Sequence, residues 1–153
     1  MEQNAQLELG RRGEQLAAAY LIKLGYRIVA ANFSVPVGRN RIGAVINVEI
    51  DLVAYEGETL CFIEVKSRAS DWFAPPEANV DKRKQRQVAR AGRAYRRMFD
   101  LAGAPYRYDV VTVVLPSSED REAGAPEFEI QLLRSYWTEE SLRKRIWTER
   151  YYD

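Results

Sequence analysis

The sequence has no histidine among its 153 residues. This absence excludes Ser-His-Asp and Cys-His triads, zinc hydrolases of the His-Glu-x-x-His type, nucleases that bind their metal through histidine, and histidine general bases. Phosphoryl chemistry that depends only on carboxylates, lysine and Mg²⁺ remains compatible with the sequence.

Cysteine is almost absent too, since Cys61 is the only one. A lone cysteine cannot form an internal disulfide or a zinc finger, and in an apolar segment it usually behaves as a small hydrophobic side chain. No apolar run reaches the roughly 18 residues of a membrane span, and the N-terminus lacks the basic and apolar segments of a signal peptide. We therefore expect a soluble cytoplasmic protein with no membrane partner.

An excess of charge of one sign is also lacking, because 23 Lys and Arg residues stand against 22 Asp and Glu residues. Any affinity for nucleic acid must therefore come from the segregation of charge on the surface. The length fits one domain with a sizeable core, and 46% apolar residues favour a globular chain. We predict a single domain over residues 1–153, with no internal repeat or long linker.

The rest of the chain is arranged around residues 49–66, where two apolar, β-branched runs flank the polar turn Glu56-Gly57-Glu58. This pattern predicts a β-hairpin, whose side chains alternate between the two faces of the sheet. On the second strand one face holds Phe62, Glu64 and Lys66. On the first strand an apolar face is expected opposite Asp51, and its members are Ile46, Val48, Ile50, Leu52 and Ala54.

Charged side chains in core strands are costly to bury unless they are paired or bind a metal. Asp51, Glu64 and Lys66 could converge on neighbouring strands and form a small site for a hard, oxygen-preferring cation beside an ammonium group. An ordinary ion pair on the strand surface is the alternative interpretation. The spacing Asp51…Glu64-Val65-Lys66 resembles the PD-(D/E)xK nuclease superfamily. The resemblance implies that Asp51 and Glu64 hold Mg²⁺ or Mn²⁺, that Val65 adds its backbone carbonyl, and that Lys66 assists the attack of water on a phosphodiester.

Residues 6–24 have apolar side chains at helical spacing and predict the first helix, which Gly25 ends as a C-cap. Gly10 and Gly13 lie about one turn apart in this helix, and each costs about 1 kcal/mol relative to alanine. We therefore expect a close approach by another backbone or by a ligand at these glycines. Glu14 lies at the edge of the apolar face, and its position alone favours an ordinary boundary residue.

A narrower resemblance covers residues 10–113. The motifs of the YraN-like family of predicted bacterial endonucleases are matched in order by Gly10-Arg11-Arg12-Gly13-Glu14, Asn32, Glu49-Ile50-Asp51-Leu52, Phe62-Ile63-Glu64-Val65-Lys66-Ser67-Arg68, Lys84-Gln85 and Arg107-Tyr108-Asp109-Val110. Two departures are Val48, where the family usually has glycine, and a longer segment at residues 34–44.

The YraN-like family is similar in architecture to archaeal Holliday-junction resolvases, in which a glutamate of the first helix approaches the metal. This similarity implies a role in the site for Glu14. Resolvase-like enzymes act as two-fold dimers on two-fold substrates. The resemblance therefore implies a homodimer, although no residue of the sequence indicates one by itself.

The second long helix is predicted over residues 80–102, and one narrow sector of it is basic. Five residues form this basic stripe: Lys82, Arg86, Arg90, Arg93 and Arg97. A stripe of this kind suits a phosphate backbone, whereas a solvated helix face usually mixes charges of both signs. Lys84 projects instead from the apolar side of the first turn, where it could reach the metal site.

Two predicted loops add three candidate contacts to phosphate. Arg68 lies in a loop predicted over residues 67–79, immediately beyond the candidate site. Arg39 and Arg41 lie where the longer segment predicts an extended turn or a projecting hairpin tip. A solvated loop with two incidental arginines is equally compatible with this segment.

Further strands are predicted at Tyr106–Leu115 and over residues 128–132, with a polar loop over residues 119–126 between them. A last helix is expected to begin after Thr138 and to run to about residue 147. Together with the resemblance, these elements imply an α/β fold. Its restriction-endonuclease-like core would have a central mixed β-sheet of about five strands flanked by helices.

The residues and the resemblance together imply a metal-dependent DNA endonuclease that hydrolyses phosphodiester bonds. Mg²⁺ or Mn²⁺ is the expected cofactor, and branched or flapped DNA is the expected substrate. A non-catalytic nucleic-acid-binding domain with the same fold is the main alternative. A protein-interaction module that uses aromatic residues near the C-terminus, such as Tyr136 and Trp137, is a third possibility.

Overall fold

A computed structural model describes residues 2–69 and 79–143. Its elements are α1 (Glu2–Lys23), β1 (Arg27–Arg39), β2 (Val45–Glu56), β3 (Thr59–Ala69), α2 (Lys82–Met98), β4 (Tyr106–Leu115), α3 (Ser118–Glu122) and β5 (Glu129–Trp137). None of the described helices is long and apolar enough to cross a membrane. Residues 139–143 are also helical. Ser141 donates its backbone N–H to the Thr138 hydroxyl at 3.0 Å, which is the predicted cap. The rest of the predicted last helix lies outside the described residues.

The five strands form one mixed sheet in the order β1-β2-β3-β4-β5. β3 and β4 are parallel, whereas the other neighbouring strands are antiparallel. α2 lies between β3 and β4 in the chain, because a parallel pair needs a connection that crosses back over the sheet. The predicted α/β class, with a mixed sheet of five strands flanked by helices, is confirmed.

The two long helices cover opposite faces of the sheet, and each face has its own hydrophobic cluster. Under α2, Phe62 packs edge-to-face on Tyr95, with 5.6 Å between the ring centroids. Under α1, Leu21 packs in the second cluster together with Ile63. Strands that are buried on both faces are apolar along most of their length, which explains the composition of β3 and β4. These central strands give a rigid support to the charged side chains that they carry.

β3 is longer than the sequence predicts. It continues through Ser67 and Arg68 to Ala69, because all three residues pair with the parallel strand β4. Residues 67–69 of the predicted loop are therefore part of a strand. Residues 70–78 lie outside the described residues.

Other limits also differ from the prediction. α1 begins at Glu2, before the predicted start at residue 6. Residues 2–8 are exposed and carry no apolar periodicity, so the pattern could not mark this start. α2 ends at Met98, before the predicted end at residue 102. β5 extends to Trp137, whose ring stacks on Tyr108 with 5.1 Å between centroids. The short helix α3 overlaps the first part of the loop predicted over residues 119–126.

β2 changes phase at Asp51, in contrast to the strict alternation that the sequence predicts. Ile50 packs in the cluster under α2, whereas Leu52 and Ala54 pack in the cluster under α1. The prediction of one common face for Ile50, Leu52 and Ala54 is therefore wrong. Opposite Asp51, in β1, Asn32 has a φ of 50°. Asparagine tolerates this left-handed conformation better than most residues, so the two paired strands can bend together at this position.

Candidate metal centre

The candidate metal centre lies in a fork between β2 and β3. The β2–β3 pairing ends at Leu52 and Ile63, so the two strands separate beyond these residues. At the separation Asp51 Oδ2 accepts the backbone N–H of Val65 at 2.9 Å. This charged hydrogen bond fixes the Asp51 carboxylate against the backbone of the next strand.

Glu64 is the buried carboxylate of the fork, with 5% of its surface exposed. Its Oε1 lies 3.9 Å from Lys66 Nζ and 3.7 Å from Lys84 Nζ. Lys84 approaches from the first turn of α2, which Asp81 caps by accepting the Lys84 N–H at 2.8 Å. Glu64 Oε2 is buried and has no hydrogen-bond partner among the described residues. A bound cation would satisfy such an oxygen, whose burial is otherwise costly.

A second set of carboxylates adjoins the fork through Asp51. One oxygen atom each of Glu14, Glu49 and Asp51 lies within 4.8 Å of the other two. Asn32 connects two members of this carboxylate cluster, because its Nδ2 donates to Glu14 at 2.8 Å and to Glu49 at 3.0 Å. The backbone irregularity at Asn32 thus brings an amide donor to a site that is rich in negative charge.

Burial, more than the neighbouring negative charges, raises the pKa of three carboxyl groups of the site. Burial, followed by the charge of Asp51, raises the pKa of Glu64 to about 7. Burial also raises the pKa of Asp51, although the Val65 hydrogen bond opposes the shift. The pKa of Glu14 is raised by burial as well, against the hydrogen bond from Asn32. Without a cation, these carboxyl groups reduce their negative charge by keeping protons. A bound divalent cation would compensate that negative charge instead.

The donor set fits a hard divalent cation, because carboxylate oxygens are the ligands that Mg²⁺ and Mn²⁺ prefer. Asp51, Glu64 and the carbonyl of Val65 form the set expected from the sequence. Glu14, Glu49 and Asp51 form an alternative set. Asp51 belongs to both sets, so it is the residue on which binding should depend most.

We expect the metal-free protein to lose stability as the pH rises from about 4.5 to about 7. Folded Glu64 keeps its proton up to about pH 7, whereas the unfolded chain releases it near the ordinary value of 4.5. The folded state therefore binds more protons across this interval, and its stability falls until the curve levels off above pH 7. The fall should be roughly 1–3 kcal/mol.

Urea unfolding in EDTA at a series of pH values measures this fall. Glu64→Gln should remove most of it, whereas Glu58→Gln, exposed in the β2–β3 turn, should leave it unchanged. Parallel stability curves for the wild type and Glu64→Gln would contradict the raised pKa of Glu64.

The predicted basic stripe is only partly free to contact a ligand. Arg86, Arg90 and Arg93 line a surface cleft of about 360 Å³. Arg90 donates to the Val37 carbonyl at 2.9 Å, and Arg93 lies 3.4 Å from the buried carboxylate of Glu139. The two remaining members of the stripe are exposed: Lys82 and Arg97. Part of the positive charge of α2 is thus already balanced within the protein.

The other predicted phosphate contacts lie at two places. Arg68, in β3, lines a groove together with Lys66. Arg39 donates to the Gly43 carbonyl at 2.7 Å within the exposed tip of the β1–β2 hairpin, which also carries Arg41. The hairpin tip itself agrees with the prediction, whereas the contact of these arginines with nucleic acid stays a prediction.

Glu49 of the carboxylate cluster and Asn32, which donates to the cluster, were not predicted as site residues. Glu49 stands two positions before Asp51, and this spacing on a strand could have placed both carboxylates on one side. Asn32 interrupts an apolar, β-branched stretch, which could have indicated a break in the strand. Both lie in motifs of the family resemblance, where no role was assigned to them.

The mixed five-stranded sheet, with helices on both faces, defines an α/β protein whose architecture is consistent with a restriction-endonuclease-like core. Residues 13–113 match the model of a family described as Uncharacterised protein family UPF0102. The chain belongs to this family, which is the YraN-like group, so the resemblance seen in its motifs is confirmed. The matched span includes all the predicted catalytic positions, from Glu14 to Lys84.

Three curated relatives carry the same family description. A UPF0102 protein of Chlorobaculum tepidum is 40% identical over 126 residues, which are 82% of this chain and 90% of the relative. One of Koribacter versatilis is 41% identical over 129 residues, 84% of this chain and 78% of the relative. One of Moorella thermoacetica is 42% identical over 115 residues, 75% of this chain and 87% of the relative.

Proposed function

We propose that this protein is a Mg²⁺- or Mn²⁺-dependent endonuclease that hydrolyses phosphodiester bonds in branched or flapped DNA. The observation that supports the proposal is the fork, where Asp51 lies beside the buried Glu64 and two lysine ammonium groups approach Glu64 Oε1. Carboxylates and lysines at one place, in a chain without histidine, suit phosphoryl transfer by a cation and by charge neutralisation.

Asp51, Glu64 and the carbonyl of Val65 would hold the cation, with Glu14 as a further acidic neighbour. When bound, the cation supplies polarisation of the phosphate and a more acidic water. Lys66 is 39% exposed and can reach a phosphate at the mouth of the fork, where it would neutralise the charge that develops during attack. The charge of Lys84 lowers the pKa of Glu64, against the larger effect of burial, and so favours the ionised form that binds a cation.

α2 would hold the phosphate backbone beyond the fork. Its first turn is at the fork, and the basic stripe runs from there along the helix. Neutralised phosphates release counterions, so binding to DNA should weaken steeply between low and moderate salt. A homodimer would suit a branched substrate that has two-fold symmetry.

Cleavage of labelled DNAs in the presence of Mn²⁺ tests the proposal. The panel consists of a duplex, a single strand, a flap and a four-way junction, each incubated with the wild type and with Lys66→Ala. We expect cleavage of the branched or flapped DNAs, and a rate at least about 100-fold lower in Lys66→Ala, because one charge beside the reacting phosphate is missing. Lys23→Ala, exposed in the last turn of α1, is the control and should cleave as the wild type does.

Each other outcome has a distinct meaning. Tight, salt-sensitive DNA binding without cleavage would contradict hydrolysis and indicate a non-catalytic nucleic-acid-binding domain. Cleavage that persists in Lys66→Ala would contradict the role of Lys66. Neither cleavage nor binding would overturn the proposal and would favour a protein-interaction module.

A further inference from the structure

A groove leads from the fork along the N-terminal half of α1. It is an open groove of about 870 Å³ between this helix and the last residues of β3. Its apolar lining includes Ala5, Leu9, Val65 and Leu115. Clefts of this volume hold organic ligands of drug size, and apolar walls favour ligands with flat apolar faces.

The two glycines of α1 meet different surroundings in the fold. A Cβ atom at Gly13 would collide with the side chain of Ser67, so the close packing of α1 on β3 explains Gly13. A Cβ atom at Gly10 would meet no atom of the described residues within 4 Å, and Gly10 lines the groove. Packing among residues 2–69 and 79–143 therefore does not explain this unfavourable helix residue. The bare backbone at Gly10 deepens the groove, as the close approach of a ligand would require.

The groove is continuous with the fork, because Lys66 lines the groove and also contributes to the fork. Glu14, from the adjoining carboxylate cluster, lines the groove as well. The groove is lined by three cationic side chains and two carboxylates, those of Arg12, Lys66, Arg68, Glu8 and Glu14. Arg12 forms an exposed ion pair of 3.4 Å with Glu127, and a phosphate could replace such a pair at little cost. An apolar floor with cations along it matches a nucleic-acid strand, which presents flat bases and charged phosphates.

We infer that this groove binds unpaired nucleotides of a DNA strand next to the scissile phosphate, an inference that rests on the proposed nuclease function. In a duplex, stacking covers the flat faces of the bases, and a protein can reach such a face only by extruding a nucleotide from the stack. A flap or a single-stranded arm exposes its bases without this cost. The groove thus selects an unpaired strand over a duplex, and Gly10 is a specificity-determining residue.

Gly10→Leu tests the inference by filling the groove with a side chain. Leucine favours a helix more than glycine does, and space is open at this position, so the fold should be retained. Ala19→Leu places the same side chain on an exposed position of α1 away from the groove and is the matched control. Fluorescence anisotropy in EDTA, with a labelled single strand, a flap and a blunt duplex, measures affinity without cleavage. Thermal unfolding and Mn²⁺ titration of the same proteins report on the fold and the fork.

We expect Gly10→Leu to weaken binding of the single strand and the flap about tenfold, because a base loses its place in the groove. Its affinities for the duplex and for Mn²⁺ should match those of the wild type. Its thermal midpoint should equal or exceed that of the wild type. Ala19→Leu should match the wild type throughout. Equal weakening for all three DNAs, or unchanged affinity for each, would overturn the inference.

The inference and the proposed function can fail separately. A wild type that binds the duplex as tightly as the unpaired DNAs would overturn the inference, even if it cleaves DNA in Mn²⁺. Preferential binding of unpaired DNA that Gly10→Leu removes would support the groove, even if no DNA is cleaved and the nuclease proposal fails.

Discussion

Replacing Asp51 with asparagine should abolish measurable Mn²⁺ binding. Asp51 approaches Glu64 on one side and lies within the cluster of Glu14 and Glu49 on the other, so both candidate ligand sets lose a member. Asparagine keeps the shape of the side chain and an acceptor for the Val65 N–H, so the fold should persist. The affinity should fall at least about 100-fold. Replacing a residue that only supports a metal ligand already lowers metal affinity by up to about 100-fold, and Asp51 is itself a candidate ligand. Isothermal titration calorimetry measures the affinity.

Two further substitutions show which set of oxygens holds the cation. Glu64→Gln removes a ligand from the predicted set alone, whereas Glu49→Gln removes one from the carboxylate cluster alone. A large loss of affinity in Glu64→Gln, with little change in Glu49→Gln, would support the predicted set, and the reverse result would assign the cation to the cluster. Glu58→Gln, exposed in the β2–β3 turn, controls for the loss of one negative charge. Undiminished Mn²⁺ binding in Asp51→Asn would contradict a metal centre of either form.

The hairpin and the face of β3 could be predicted because both depend on short-range rules. A polar turn with glycine predicts a tight reversal, and Gly57 has a φ of 58°, which glycine adopts readily. Alternation along β3 predicts opposite faces for Phe62 and Ile63, and these residues pack in the clusters under α2 and under α1. Because β3 is regular, the same rule also gives the direction of Glu64.

The change of phase in β2 could not be predicted by the same rule. The alternation rule describes a single strand, whereas the change of phase at Asp51 coincides with a left-handed residue, Asn32, in the paired strand. The carboxylate cluster follows from this change of phase and from the approach of Glu14 on α1. The sequence therefore indicates individual residues of the site. Which of these residues lie close together depends on the pairing of the strands and on the position of α1.

The Arg107-Tyr108-Asp109 motif of the family resemblance has a structural explanation away from the fork. Asp109 is fully buried, and its two carboxylate oxygens lie 3.0 Å and 2.9 Å from Arg107 Nε. Asp109 Oδ1 also accepts the backbone N–H of Ser135 at 2.9 Å, where β5 bulges and Ser135 has a φ of 51°. The motif thus stabilises the pairing of β4 with the edge strand β5. The order of motifs along the sequence could not reveal this structural role.

Replacing Asp109 with asparagine should lower the free energy of unfolding by about 3 kcal/mol, at the lower end for breaking a buried ion pair. Among the described residues, Arg107 would keep only Glu56, at 3.3 Å, as a carboxylate partner. The new amide would also direct its NH₂ group toward Arg107 or toward the Ser135 N–H, and both of these groups are donors. Urea unfolding at neutral pH, in EDTA, measures the loss.

The exposed start of β5 offers the control, since Glu129→Gln should change stability by no more than about 0.5 kcal/mol. Removal of both partners in Asp109→Leu with Arg107→Met should cost less than the sum of the two single changes, because neither charge is then left unpaired.

A loss below about 1 kcal/mol in Asp109→Asn would contradict a stabilising role for the Arg107–Asp109 pair. The Mn²⁺ affinity of the folded variant should equal that of the wild type, because the contacts of Asp109 lie outside the fork. A folded, stable variant that has lost Mn²⁺ binding would instead assign Asp109 to the metal centre.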